Sequence, residues 1–339
     1  MTTATLAVRP NFEHLARLTG DHGLFEHARY STPRPEHGYC LDDAARALVV
    51  ACREPRPDLR LQRLAHVYLD FVLAAVEPDG RCHNRMNADG RWIDEPGLGD
   101  WWGRALWGLG VSAVHAPTEG MRARALYGFR GAAQQRSPDT RAMAFAALGA
   151  GELLLNHPGE PAAQSLLRDS ANRIVQIDAN TWPWPESRLT YANGSLVEAL
   201  LLAGSALSDP ALLSRGLDLL RFLSEAETRD GHLSVTPVGG RGPGDPYPGF
   251  DQQPIEVAAL ADACARAHAL AADPGSLVTL RLAWRWFLGD NDSKTQMFDA
   301  DTGAGFDGLE RDGRNLNQGA ESTLAMLSTA QHARRLGFL

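Results

Sequence analysis

The stretch Phe250-Asp251-Gln252-Gln253-Pro254-Ile255-Glu256-Val257-Ala258-Ala259-Leu260 decides how the chain is read. An aromatic, a carboxylate and two carboxamides stand immediately before a proline, and an apolar helical pattern runs on from it. Pro254 at the first helical position sacrifices no hydrogen bond, because the N–H it lacks would be an orphan there. Asp251, Gln252 and Gln253 therefore lie just outside a helix N-terminus, and Glu256 lies in the first turn. A segment needed for packing alone would more often carry a single Ser or Asp cap. The excess of polar groups points to a site.

The same design recurs along the chain. Asp42-Asp43-Ala44-Ala45-Arg46-Ala47-Leu48, Trp101-Trp102-Gly103-Arg104-Ala105-Leu106, Asp139-Thr140-Arg141-Ala142-Met143-Ala144, Ser195-Leu196-Val197-Glu198-Ala199-Leu200 and Ala320-Glu321-Ser322-Thr323-Leu324-Ala325 each open a helical pattern. With the 250–260 stretch that makes six Ala-rich helices with polar starts, spaced by roughly 40 to 60 residues, the mark of a repeated supersecondary unit. Apolar residues at three and four spacings give about twelve helices of ordinary length in all, one of them over 161–178. Long polar loops precede the six, and short links join the others. The pattern predicts an all-α (α/α)6 toroid of six helical hairpins, a single domain over residues 1–339 with the six Ala-rich helices inside. An open solenoid is the alternative. Asp79-Gly80 and Asp89-Gly90 are turn dipeptides in the loop 77–99, and the segments 81–86 and 91–93 around the second predict a small β-hairpin.

The 339 residues carry a formal charge of −8, with no Lys/Arg run, which argues against a nucleic-acid surface. The four cysteines, Cys40, Cys52, Cys82 and Cys264, show no C-x-x-C pairing, so a zinc ribbon or dithiol motif is unsupported. No apolar run reaches membrane-spanning length and no leader pattern opens the chain, so a cytoplasmic protein without metal or cofactor is expected. No Gly-x-Gly-x-x-Gly follows an expected strand, and phosphate-loop, His-Glu-x-x-His and Gly-x-Ser-x-Gly patterns are missing from the sequence.

In a toroid the loops before the inner helices converge on one face. There the sequence gathers Asp42, Asp43, Asp100, Asp251, Glu256 and Glu321 as candidate acid/base groups. Trp101, Trp102, Trp182 and Trp184 are expected to stack on sugar rings, while Trp107, Trp284 and Trp286, on helical spacings, are assigned to the core. Arg104, His83, Tyr191, Gln252, Gln253, Asn317 and Gln318 complete the expected substrate contacts. Two carboxyl groups facing each other across a sugar are what glycoside hydrolysis requires. Each residue also has a bland reading: Asp42 or Asp43 as a helix cap, Glu256 and Glu321 as complements to a helix dipole.

The segments 38–48, His83-Asn84, 89–92, 103–107, 250–256 and 317–323 together resemble a bacterial family of six-hairpin proteins. Its members are often labelled glycosyltransferase or glycosidase-related because they lie beside, or are fused to, sugar-transfer enzymes. The resemblance implies a fold akin to six-hairpin glycosidases and N-acylglucosamine 2-epimerase. It departs from this chain at Ala45, where asparagine is favoured, and at Asp100-Trp101-Trp102, which replaces a more polar run. Three functions are carried forward. The leading one is a glycoside hydrolase acting on oligosaccharides. A non-catalytic sugar-binding accessory with a glycosyltransferase partner is the alternative. Below these stands a sugar epimerase or isomerase, for which His37, His83 and His232 are the loop histidines in reach.

Overall fold

The structure, a computed structural model, describes residues 10–175 and 182–338. Twelve helices lie in the described residues. Those numbered evenly are α2 (Leu41–Arg53), α4 (Asp100–His115), α6 (Thr140–Asn156), α8 (Gly194–Ala206), α10 (Pro254–Ala271) and α12 (Ala320–Arg335). Between them come α1 (Glu13–Leu18), α3 (Leu59–Ala75), α5 (Glu119–Ala132), α7 (Pro161–Val175), α9 (Pro210–Ala226) and α11 (Pro274–Phe287). The end of the helix expected over 161–178 falls outside the described residues beyond Val175.

Each even helix packs on the next, and α12 packs back on α2, so the six Ala-rich helices close into a ring and the odd ones lie around it. This is the (α/α)6 toroid. The inner helices are buried along nearly their whole length, which is why their sequences are small and apolar beyond the first turn. Close approach of α4 and α6 depends on glycine. A Cβ on Gly103 would sit 2.1 Å from the Ala142 carbonyl oxygen, and one on Gly149 would sit 2.1 Å from that of Leu106. The hairpin expected in the loop 77–99 forms: Asn87 N–H donates to Arg91 O at 2.9 Å and Ile93 N–H to Arg85 O at 3.0 Å. Its first arm also pairs antiparallel with Tyr39–Cys40, just before α2.

A difference in capping sets the two layers apart. The outer helices α3, α5, α9 and α11 begin with their own side-chain caps, Asp58, Thr118, Asp209 and Asp273. Among the described residues no inner helix does so. Their first-turn N–H groups, each helix end carrying roughly half a positive charge, are left to groups from elsewhere in the fold. The six N-termini share one mouth of the ring, so that mouth attracts carboxylates.

Gly149→Ala is expected to lower stability by about 2 kcal/mol, because the new methyl meets backbone rather than a mobile side chain. Gly131→Ala on α5, with open space around the added Cβ, should be neutral or stabilising by about 0.5 kcal/mol. Urea midpoints of the two variants check both.

Candidate functional site

The site is built around Arg46. Its i,i+3 spacing from Asp43 places both on the inward face of α2, where Asp43 is 2% and Arg46 9% exposed. Arg46 Nη2 lies 2.5 Å from Asp43 Oδ1, and Nη1 lies 2.7 Å from Glu321 Oε2 in the first turn of α12. The guanidinium thus holds two carboxyls at once, across the joint that closes the ring. One residue earlier, Asp42 turns the other way. Its Oδ1 accepts from Arg104 Nη1 at 3.1 Å and its Oδ2 from Asn84 Nδ2 at 3.2 Å, tying α2 to α4 and to the hairpin loop. Arg104 lies over the Phe145 ring at 4.5 Å, with Tyr191 beyond at 6.0 Å.

A cavity of about 270 Å³ opens above these groups. Asp42, Asp43, Arg46, Arg104 and Glu321 border it, joined by Gln253 and by Glu26, His27 and Asp307 from loops. Asp307 Oδ1 accepts from Gly319 N–H at 2.7 Å and from Ser322 Oγ at 2.5 Å, so it serves as the cap that α12 lacks in its own sequence. Glu26 is ion-paired with Arg85. Glu26, Cys40 and Asp43 bring three ligand-type atoms within 4.8 Å of one another. Burial, then the nearby Asp43, push the Cys40 thiol well up; the thiol donates to Asp43 Oδ2 at 3.1 Å and both carboxylates already face arginines, so the trio is poorly suited to a cation.

The carboxyls differ in proton affinity. Burial pushes Asp43 up to about 6, with Arg46 pulling down and Glu321 and Glu26 adding to the rise. Burial alone would raise Glu321 too, but Arg46 and Arg104 outweigh it and hold it below its ordinary value. The Glu321 side chain keeps 38% of its surface exposed toward the cavity. Burial also raises Asp100 and Asp307.

Several expectations for this face require correction. Trp102 is 0% and Trp184 1% exposed, so neither can stack on a ligand; Trp102 donates Nε1–H to Ala132 O within the core. Trp101 is half-buried with its Nε1–H on Cys82 O, and Trp182 stands edge-on to Phe222 of the outer helix α9. Gln252 is fully buried and anchors its loop, giving Nε2–H to Asp292 at 2.6 Å and to Gly249 O at 3.0 Å. Glu256 points away from the cavity toward α8, where it accepts from Ala192 N–H at 2.5 Å and from Asn193 Nδ2 at 2.9 Å. Burial, with Glu227 nearby, pushes it up to about 8 against those bonds. Its position makes it the external cap of α8. Asp251 is exposed and Asp100 half-buried, both off the cavity's border. His83 stacks on Trp92 at 5.2 Å with Nδ1 on Asp94 O. Asn317 and Gln318 hold the Tyr30 backbone at the rim. Arg141 lies under Tyr191 at 5.1 Å and binds its carbonyl, fixing the loop before α8.

Of the residues expected at the site from sequence, Asp42, Asp43, Glu321, Arg104 and Gln253 border this cavity; Arg46, Glu26, His27 and Asp307 border it too and were not expected there. A lone arginine three residues after an aspartate in an alanine helix was the available signal for Arg46. Glu26, His27 and Asp307 sit in irregular loops without periodicity to place them.

No protein-family profile matches the chain, and no curated protein matches it in sequence. Solved structures do match in fold. A sugar epimerase from a ruminal bacterium superposes with a TM-score of 0.72 over 97% of each chain at 12% identity. A D-mannose isomerase gives 0.71 over 99% of this chain and 98% of its own at 11% identity. A cellulase of C. cellulolyticum in complex with cellobiose gives 0.66 over 93% and 88% at 8% identity.

Asp43 binds a proton in the folded state up to about pH 6, while in the unfolded chain it loses it near 4. Between those values the folded state holds more protons, so stability falls as pH rises, by up to about 3 kcal/mol for this group. Asp43→Asn is expected to lack that loss. Urea unfolding at pH 4 and pH 7.5 should show the variant gaining on the wild type at the higher pH.

Proposed function

We propose that this chain is a carbohydrate-active enzyme whose reaction takes place at the N-terminal mouth of the ring, and that the reaction is hydrolysis of an oligosaccharide. The observation that carries the reading is the pair of carboxyls on one guanidinium, one lifted toward neutrality and one held ionised. Paired carboxyl groups whose environments push their pKa values apart are how acid and base are told apart in such sites. Protonated Asp43 is the general acid: it gives its proton to the glycosidic oxygen as the bond to the anomeric carbon breaks. Ionised Glu321 takes a proton from the water that attacks that carbon, or attacks it directly and is later released by water. Arg46 stabilises the Asp43 carboxylate left behind. In this reading Asp42, Arg104 and Gln253, which border the cavity, hold sugar hydroxyls, and four buried, unpaired cysteines support a reducing, cytoplasmic setting.

A second reading shares the cavity. Sugar epimerase and isomerase structures have this fold over nearly the whole chain, and His27, edge-on to His37 at 5.1 Å, borders the cavity. In that reading His27 and a carboxyl exchange a proton with a sugar carbon next to a carbonyl.

Asp43→Asn and Glu321→Gln are each expected to lower hydrolysis of a panel of cello- and manno-oligosaccharides by about 10² to 10⁴-fold while the variants remain folded. Wild-type rates in both would sink the assignment. Deuterium entering a free sugar from solvent, with no bond cleavage, would favour the epimerase, and saturable binding with no turnover of any kind would favour an accessory protein.

A further inference from the structure

A cavity larger than the one at the N-terminal mouth lies at the opposite end of the ring. There the C-terminal parts of α2, α4, α10 and α12 enclose about 890 Å³, within the size range of small-molecule sites. Its walls are charged. Arg53 binds Asp262 at 2.8 Å, Arg266 joins Glu152 at 2.6 Å to Glu198 at 3.2 Å, and Arg334 sits 2.7 Å from Glu54. All four carboxylates bordering the cavity are matched in this way. Arg335, which also borders it, has no carboxylate within ion-pair distance among the described residues.

Two further groups on the same wall are incomplete. Gln331 and His332 are 3% and 5% exposed, and Gln331 Oε1 and His332 Nδ1 have no hydrogen-bond partner among the described residues. Burying an acceptor without a donor costs about 1–3 kcal/mol. Arginines at helix C-termini also complement the helix dipole. That effect explains neither the size of the cavity nor two buried polar atoms left open beside it.

We propose that this C-terminal mouth is a second ligand-binding site, one that takes a small phosphorylated molecule. Its phosphate is held by Arg335 with Arg53 and Arg266 flanking, and its hydroxyl groups by Gln331 and His332. A phosphate suits the site better than a carboxylate because its three terminal oxygens match several converging guanidinium groups, whereas a carboxylate is filled by one. The inference is independent of the reaction assigned to the other mouth.

Calorimetric titration of the whole protein with glucose 6-phosphate, and separately with inorganic phosphate, tests it. Saturable binding to the wild type is expected, weakened about tenfold or more in Arg335→Gln, largely kept in Arg335→Lys and unchanged in Glu321→Gln. Arg335 is exposed and holds no ion pair, so both variants should fold as the wild type does, which a melting curve verifies. Failure of both probes to bind the wild type overturns the proposal. So does binding that Arg335→Gln leaves intact, or binding that Glu321→Gln abolishes, since the latter would put the probe at the N-terminal mouth.

Discussion

Two arginines of one helix join the ring where its ends meet. Arg46 and Arg53 are seven residues apart on α2, so they share a face and stand about 10 Å apart along the axis. Arg46 reaches Glu321 on α12, and Arg53 reaches Asp262 on α10 and Ser328 on α12. Gln331 of α12 adds a bond to the Val50 carbonyl between them. An ion pair at a surface contributes little, but a buried charge that loses its partner costs about 3–5 kcal/mol. The joint between the first and last inner helices is therefore specific in register as well as attractive. A shift of α12 by one turn would break the bond from Arg46 to Glu321 and that from Arg53 to Ser328 together.

The same two arginines organise the two mouths. At the N-terminal end the six helix dipoles converge without caps of their own, and Asp307 and Glu256 are supplied from other segments to α12 and α8. Carboxylates are welcome there, and those that remain facing the cavity are available for chemistry. Between the mouths the ring is filled by side chains such as Trp107 and Phe145, which leave about 40 Å³ of space. Glu321 and Arg46 border that space from one side, Asp262 and Ser328 from the other. Each mouth is thus a separate electrostatic compartment with a shared wall.

How much of this was legible in the sequence depended on whether a side chain's role follows from its own helix. The alanine-rich turns of 44–51 and 258–267 announce helices that pack closely, and their recurrence announces the ring. Asp43 and Glu321 follow from position in a first turn of an inner helix. Glu256 occupies an equivalent position yet faces the neighbouring α8, because an uncapped N-terminus lies beside it, and no local pattern reveals which neighbour is uncapped. Trp102 and Trp184 mislead for a related reason. Nearness to a polar loop in sequence does not say which side of the helix or loop faces the core, and a tryptophan buries more apolar area inward than it could outward. Arg46 was visible as a charge in an apolar helix, but its second partner lies 275 residues away.

That separation bears on how the chain acquires its structure. Most hairpins of the ring join helices close in sequence and can form as soon as both are made, with little loop entropy to overcome. The pairing of α2 with α12 must wait for nearly the entire chain. Until then Arg46 and Asp43 lie on a helix whose neighbour on one side is missing, open to water and to any competing apolar surface. An incomplete chain emerging from synthesis is therefore a helical arc with an unsealed edge, the form in which repeat-like proteins are most exposed to misassembly. The proposed acid and base, Asp43 and Glu321, come together only where α12 meets α2, so on that proposal a chain that has not closed its ring has no site.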